Sequence, residues 1–173
     1  DFTILAIDTS CDDTCAAVTC GTRVLSNVVS SQTSYHGEWG GTVPDIAKRL
    51  HQEWLPKVVN LAIRRAGSPK LDALAVTIGP GLAPSLEQGI TCCRQLASSW
   101  NLPVIAVNHM EGHLLSSFAT NKNGHGTLTS HTGYMMFPAL GFIISGGHTE
   151  LVLMKAVGVY ELLGETLDDA AGE

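Results

Sequence analysis

No apolar run in this 173-residue chain approaches the ~20 residues that a membrane-crossing helix needs, which excludes a helical span. No secretory signal is visible either, because Asp1 leads directly into a strand-like run. Basic residues are the minority, with 10 Lys and Arg against 16 Asp and Glu and a formal net charge of -6. A protein that grips nucleic acid alone usually carries a basic face. The nearest thing here is Lys48, Arg49, Lys57, Arg64, Arg65 and Lys70, which read better as the solvated side of one helix. If RNA is a substrate, other segments or partners must supply much of the charge. The five cysteines (Cys11, Cys15, Cys20, Cys92, Cys93) contain no C-x-x-C pair, so a disulfide framework or cysteine zinc site is not expected. Buried free thiols in a cytoplasmic setting fit better. Internal repeats and low-complexity tracts are absent as well.

What is present is a glycine-rich, sparsely charged chain, long enough for a real core. It starts without an initiator methionine and stops at Glu173 without a terminating signal. It is therefore expected to be a piece of a longer protein.

Hydrophobic periodicity divides the chain into elements. Thr3–Asp8, Thr14–Cys20 and Arg23–Val29 read as three strands joined by tight turns, an antiparallel meander. Gln32–Pro44 reads as a glycine-bearing loop whose Tyr35, His36 and Trp39 make it a candidate lid or contact surface. From Pro44, Ile46, Leu50, Trp54, Val58 and Leu61 recur at helical spacing, and Pro56 is expected to kink or split that helix. Asp72–Ile78 is a fourth strand. Gly79-Pro80-Gly81-Leu82 then opens a helix from about Pro84, a strand–glycine–helix arrangement that suits an anion or a plain tight connection. Leu102–Val107 is a fifth strand. Asn121–Gly133 reads as a polar surface loop with His125 and His131 in it. Glu161–Glu173, with Asp168 and Asp169, reads as helical. This order points to an α/β, ribonuclease-H-like (actin-like ATPase, ASKHA) half-domain: a mixed sheet with three antiparallel strands and two crossovers, flanked by helices. Such folds come as two lobes with a ligand between them, so residues 1–173 are expected to be the N-terminal lobe, with the second lobe absent from this chain.

Chemistry-bearing residues fall in three places. Asp8, Ser10, Asp12 and Asp13 sit at or beside the first hairpin tip, a candidate phosphate or cation loop in which the carboxylates would act through a cation or water. Ser145-Gly146-Gly147 lies between two strands and offers close backbone access. Asn108-His109-Met110-Glu111-Gly112-His113 opens a helix with Asn108 as a candidate cap. At ~100° per residue, His109 and His113 lie about 40° apart and can hold one transition metal, whereas Glu111 lies about 200° from His109. A zinc peptidase of the H-E-x-x-H type needs its glutamate beside the first histidine, where this chain has Met110. An isolated H-x-x-x-H is equally what two hydrogen-bonded helix histidines look like.

Taken together, the segments Ile7–Thr14, Gly40-Gly41 with Val43-Pro44, Arg49 with His51, Gly79–Leu82, Asn108–Leu115, Ser145–Thr149 and Tyr160–Glu173 resemble the tRNA threonylcarbamoyladenosine transferase family (TsaD-type, once called glycoprotease), in its order and over nearly the whole chain. It looks like a bacterial member. The resemblance implies transfer of a threonylcarbamoyl group from threonylcarbamoyl-AMP to N6 of adenine 37 in tRNAs that read codons beginning with A. It implies one divalent metal, iron(II) or else zinc, on His109 and His113, and an adenylate site lined by Ile143, Ile144, Ser145, Gly146 and Gly147. It also implies partner proteins, a paralogous actin-fold subunit and a small ATPase, with no membrane. A third metal ligand, an aspartate, is expected beyond Glu173, so this piece alone is expected to be inactive. Trp39 stands where the family usually has tyrosine. A metallopeptidase and a non-catalytic scaffold relative are the competing readings.

Overall fold

The computed structural model describes residues 2–123, 136–145 and 148–172. They fall into two compact units, one within Asp1–His109 and Ala119–His125, the other within Met110–Phe118 and Gly126–Glu173.

The first unit is built on strands β1 (Thr3–Asp8), β2 (Asp13–Cys20), β3 (Arg23–Ser31), β4 (Ala73–Gly79) and β5 (Val104–Asn108), in the order β3-β2-β1-β4-β5. β1, β2 and β3 form the expected antiparallel meander, and β4 and β5 add parallel to β1. Their crossovers are helices α2 (Pro44–Arg65) and α3 (Ala83–Trp100). Alternation along the strands puts Leu5 beside Val18 and Leu74, and Ile7 beside Ala16 and Val76. These residues form one buried cluster with Leu55, Val58, Val59 and Ala62 of α2 and Cys93 of α3. Each large side chain buried there stabilises the unit by roughly 1.5–3 kcal/mol. β4 is buried from Ala73 through Thr77, as befits a central parallel strand covered on both faces.

Three local expectations change. The buried stripe of α2 is Ala47, Leu50, His51, Leu55, Val58, Val59 and Ala62. It keeps Leu50 and Val58 of the expected stripe but centres one position round the helix, with Trp54 and Leu61 packed against the core's edge and only partly buried. The helix also runs unbroken through Pro56. Pro56 sits on the exposed side, while burial of Leu55, Val58 and Val59 around it holds both halves against the sheet. The loop before the helix contains a single turn, α1 (Thr33–His36), followed by a 3-10 turn over Gly37–Trp39. His36 is buried: its Nδ1 accepts from Val43 N–H and its Nε2 pairs with Gln32 Oε1. Only Tyr35 and Trp39 remain exposed as a contact surface.

The second unit holds α4 from Met110 onward, the helix itself spanning His109–Ser116, and the antiparallel sheet β6 (Ala139–Ile144), β7 (Thr149–Ala156) and β8 (Val159–Glu165). Leu114 of α4 packs on Ile143, Val152 and Met154 of the sheet. The helix expected over Glu161–Glu173 is not formed. Gly158, at φ +77, makes a tight turn that pairs Ala156 with Val159 and Met154 with Tyr160, so the chain continues as β8. After Glu165 the tail turns back: Thr166 N–H donates to Thr149 O, Thr166 Oγ1 to Asp169 O, and Ala171 N–H to Thr149 Oγ1. His125 and His131 lie outside the described residues.

His51 ties α2 to the first hairpin. It is fully buried; its Nε2–H donates to Cys11 O at 2.9 Å, which leaves Nδ1 to accept from Thr14 Oγ1 at 2.8 Å. Burial pushes the imidazole below its usual range; the Cys11 carbonyl and the carboxylates of Asp12, Asp8 and Asp13 oppose that without reversing it. The unfolded chain therefore takes up a proton near pH ~6.5 that the native ring refuses. Its contribution to stability is complete above that pH and is lost as pH falls. Urea midpoints between about pH 7.5 and about pH 5.5 are expected to drop in the wild-type protein. The drop should be smaller in His51→Gln, which starts roughly 1–3 kcal/mol less stable for its broken buried hydrogen bonds.

Candidate functional site

Because β1, β4 and β5 run parallel, their C-terminal ends share one edge of the sheet, where open α/β sheets carry ligands. Asp8, Thr9 and Ser10 leave β1 there, Gly79–Leu82 leave β4, and Asn108 and His109 leave β5. Asp8 is the hub. Its Oδ1 accepts from Ser10 N–H at 2.9 Å and Ser10 Oγ–H at 2.7 Å. Its Oδ2 accepts from Thr77 Oγ1–H at 2.5 Å and His109 Nδ1–H at 3.1 Å. Burial by itself would raise the Asp8 pKa, but the hydrogen bonds from His109, Thr77 and Ser10 outweigh it and hold the carboxyl well below the usual carboxylate range. The group is ionised, and its roughly four acceptor positions are all met by protein donors. Ser10 Oγ also lies 3.5 Å from His109 Nε2.

The neighbouring loop is fitted by glycine. Leu82 N–H donates to Ser10 O at 2.7 Å, and a Cβ on Gly81 would stand 2.5 Å from that oxygen, at a φ of +156 that side-chain-bearing residues rarely adopt. Nearly two turns into α3, a Cβ on Gly89 would meet Thr9 Oγ1 at 2.5 Å. That hydroxyl donates to Ser85 O at 2.8 Å. Thus β1's exit loop rests directly on the backbone of the β4–α3 connection. The pattern G-P-G did not disclose this on its own.

Of the expected site residues, Asp8, Ser10 and His109 come together. Asp12 is partly buried beside them in sequence, and its carbonyl accepts from Gln32 N–H. His113 is exposed in the last turn of α4. In the second unit, Ile143 packs into the core and Ile144 is exposed. Ser145 N–H donates to His148 O at 2.8 Å, closing the expected hairpin turn. Gly146 and Gly147 lie outside the described residues. The backbone of Gly172 packs against Ser145, where a Cβ would stand 2.4 Å from its carbonyl carbon. Glu111 Oε1 accepts a 2.5 Å hydrogen bond from Tyr160 O–H of β8. Thr77 was not foreseen. The signal was there: a hydroxyl in an otherwise apolar strand, one position beyond the pairing of Ile7 with Val76. Among the described residues no group of three or more His, Cys, Asp and Glu converges as a metal set. What they offer a metal is an imidazole whose other nitrogen is on a carboxylate, the usual support of a ligating histidine.

The strand order with this polar cluster beyond the strand ends defines the class of the molecule, an actin-like ATPase fold. Solved structures with this architecture include YeaZ from Pseudomonas aeruginosa, at TM-score 0.56 and 22% identity, covering 96% of this chain and 67% of that one. Another is a ROK hexokinase from Thermus thermophilus, at TM-score 0.51 and 17% identity, covering 94% and 48%. At that identity the likeness is one of fold. The family follows from sequence: the model for tRNA N6-adenosine threonylcarbamoyltransferase (TsaD) matches residues 23–173, and this chain belongs to that family. A relative of that name from Thermomicrobium roseum is 49% identical over 173 residues, 98% of this chain and 46% of the relative. One from Bacillus subtilis is 43% identical over 176 residues, 100% and 47%. The chain spans about half the length of these curated relatives.

Gly81→Ala is expected to cost roughly 1–3 kcal/mol in urea unfolding, through strain and the clash with Ser10 O. Gly112→Ala, in α4 with nothing within 4 Å of its Cβ, should instead stabilise by up to about 1 kcal/mol.

Proposed function

We propose that the whole protein containing this chain transfers a threonylcarbamoyl group from threonylcarbamoyl-AMP to N6 of adenine 37 in tRNAs reading codons that begin with A. The observation that carries this reading is continuity: relatives named for the tRNA N6-adenosine activity match 98% and 100% of the chain. In the reaction the N6 amine attacks the carbamoyl carbon, the new C–N bond replaces the bond to the phosphate oxygen, AMP leaves with the electron pair, and the proton lost from N6 passes to solvent.

His109 and His113, one turn apart on α4, are the residues that would hold a divalent ion, with iron(II) favoured and zinc the alternative. When bound, such an ion supplies Lewis acidity toward the donor's oxygens. Asp8 orients His109. Ile143, Ile144, Ser145, Gly146 and Gly147 line the adenylate subsite, with backbone N–H groups as the natural partners of a phosphate. The acceptor adenine lies in an anticodon loop and can be presented without opening a duplex. The charge balance favours help with tRNA. Lys48 and Lys57 pair with Glu87 and Glu53, so partner proteins, a paralogous actin-fold subunit and a small ATPase, contribute to binding. The hydrogen bond from Tyr160 to Glu111 supports transfer over peptide hydrolysis, because it already engages that carboxylate.

The full-length protein with its partners is expected to modify a tRNA transcript carrying A37 and to leave an A37→G transcript untouched, as read by nucleoside mass spectrometry. His109→Ala and His113→Ala should each lower turnover by roughly a hundredfold or more, and residues 1–173 alone should be inactive. Unchanged turnover in both histidine variants would sink the reading. Chelator-sensitive peptide cleavage by a clean preparation would favour the peptidase instead.

A further inference from the structure

We propose that Asp8 is a positioning residue: its carboxylate fixes the His109 ring with the proton on Nδ1 and the basic lone pair on Nε2. This rests on the reading above, in which His109 is a ligand, but its core is a statement about one hydrogen-bond network.

Four donors determine the arrangement. Ser10 N–H and Ser10 Oγ–H occupy Oδ1, and Thr77 Oγ1–H and His109 Nδ1–H occupy Oδ2. An ionised carboxylate only accepts, so the ring nitrogen facing it must carry hydrogen. A neutral imidazole has one N–H, and placing it on Nδ1 makes Nε2 the basic atom. The Ser10 hydroxyl proton is directed at Asp8, so Ser10 does not donate to Nε2, 3.5 Å away. Asp8 therefore does not serve as an ion ligand of the hairpin loop. Its acceptor positions are filled, and its effect reaches a ligand through His109.

The β4 register makes the arrangement rigid. Thr77 follows Val76, which pairs with Ile7, so its hydroxyl meets Asp8 across adjacent parallel strands. Thr77 is itself buried. Removing it takes one donor from Oδ2 and leaves the His109 bond in place.

Nitrogen-15 NMR of the histidine rings in the metal-free, full-length protein tests this directly. His109 is expected to show the protonated signature at Nδ1 and the lone-pair signature at Nε2. Asp8→Asn, nearly isosteric, can turn its amide N–H toward Nδ1, and should move the proton to Nε2. It should also weaken zinc binding, measured by competition with a chelator, by about tenfold to a hundredfold. Thr77→Val should keep the wild-type tautomer, which separates tautomer control from general loosening of the strand ends. A wild-type His109 protonated at Nε2, or an Asp8→Asn protein with the wild-type tautomer and zinc affinity, would overturn the proposal. The first of these outcomes needs no variant to fold. If the tautomer moves as expected while His109→Ala binds zinc as tightly as wild type, the positioning role stands and the metal reading of the previous section fails.

Discussion

Everything at the site depends on one buried negative charge at the end of the first strand. Asp8 cannot be neutralised cheaply, because four hydrogen bonds favour its ionised form. It cannot be left unpaired either, since a half-buried carboxylate without donors would destabilise the sheet edge. The donors it recruits come from three different strand ends: Ser10 after β1, Thr77 in β4 and His109 after β5. A single carboxylate thus registers the C-terminal edge of the parallel part of the sheet. The consequence is orientation, because a histidine held by a carboxylate presents its remaining nitrogen in one direction.

A second constraint is steric. The exit loops of β1 and β4 lie in backbone contact, with Leu82 N–H on Ser10 O and no room for a Cβ at Gly81. Thr9 and Ser85 repeat that closeness within the first two turns of α3, over Gly89. His51 fastens the same hairpin from the other side through Cys11 O and Thr14 Oγ1. The loop that carries Ser10 is therefore held by two helices and its own strand. Such a loop is suited to binding through fixed backbone and hydroxyl groups rather than through rearrangement.

In the second unit, the same economy of small residues recurs. Gly141 leaves space for Leu114 of α4, whose methyl would stand 2.3 Å from a Cβ there. The tail after β8 folds across Thr149 and Ser145 instead of forming a helix. The stretch Tyr160–Gly172 thereby acts as a strand and a strap on the Ser145 turn. This gives a physical role to a motif that, as sequence, read as a run of acids and helix formers.

The five-stranded mixed sheet, its two helical crossovers and the β6–β7 hairpin were legible in the sequence. Each is encoded locally, in period-two or period-three-to-four apolar spacing and in glycine or proline at the breaks. The His pair was legible for the same reason, since helical spacing alone sets it. Local spacing could not say that His109 meets Asp8, 101 positions away, or that Thr77 completes the cluster. It also could not place the buried stripe of α2, or turn Glu161–Glu165 into a strand. Those were decided by tertiary structure, because strand register, the closeness of a helix to a sheet and the pairing of β8 with β7 are set by contacts between residues far apart along the chain.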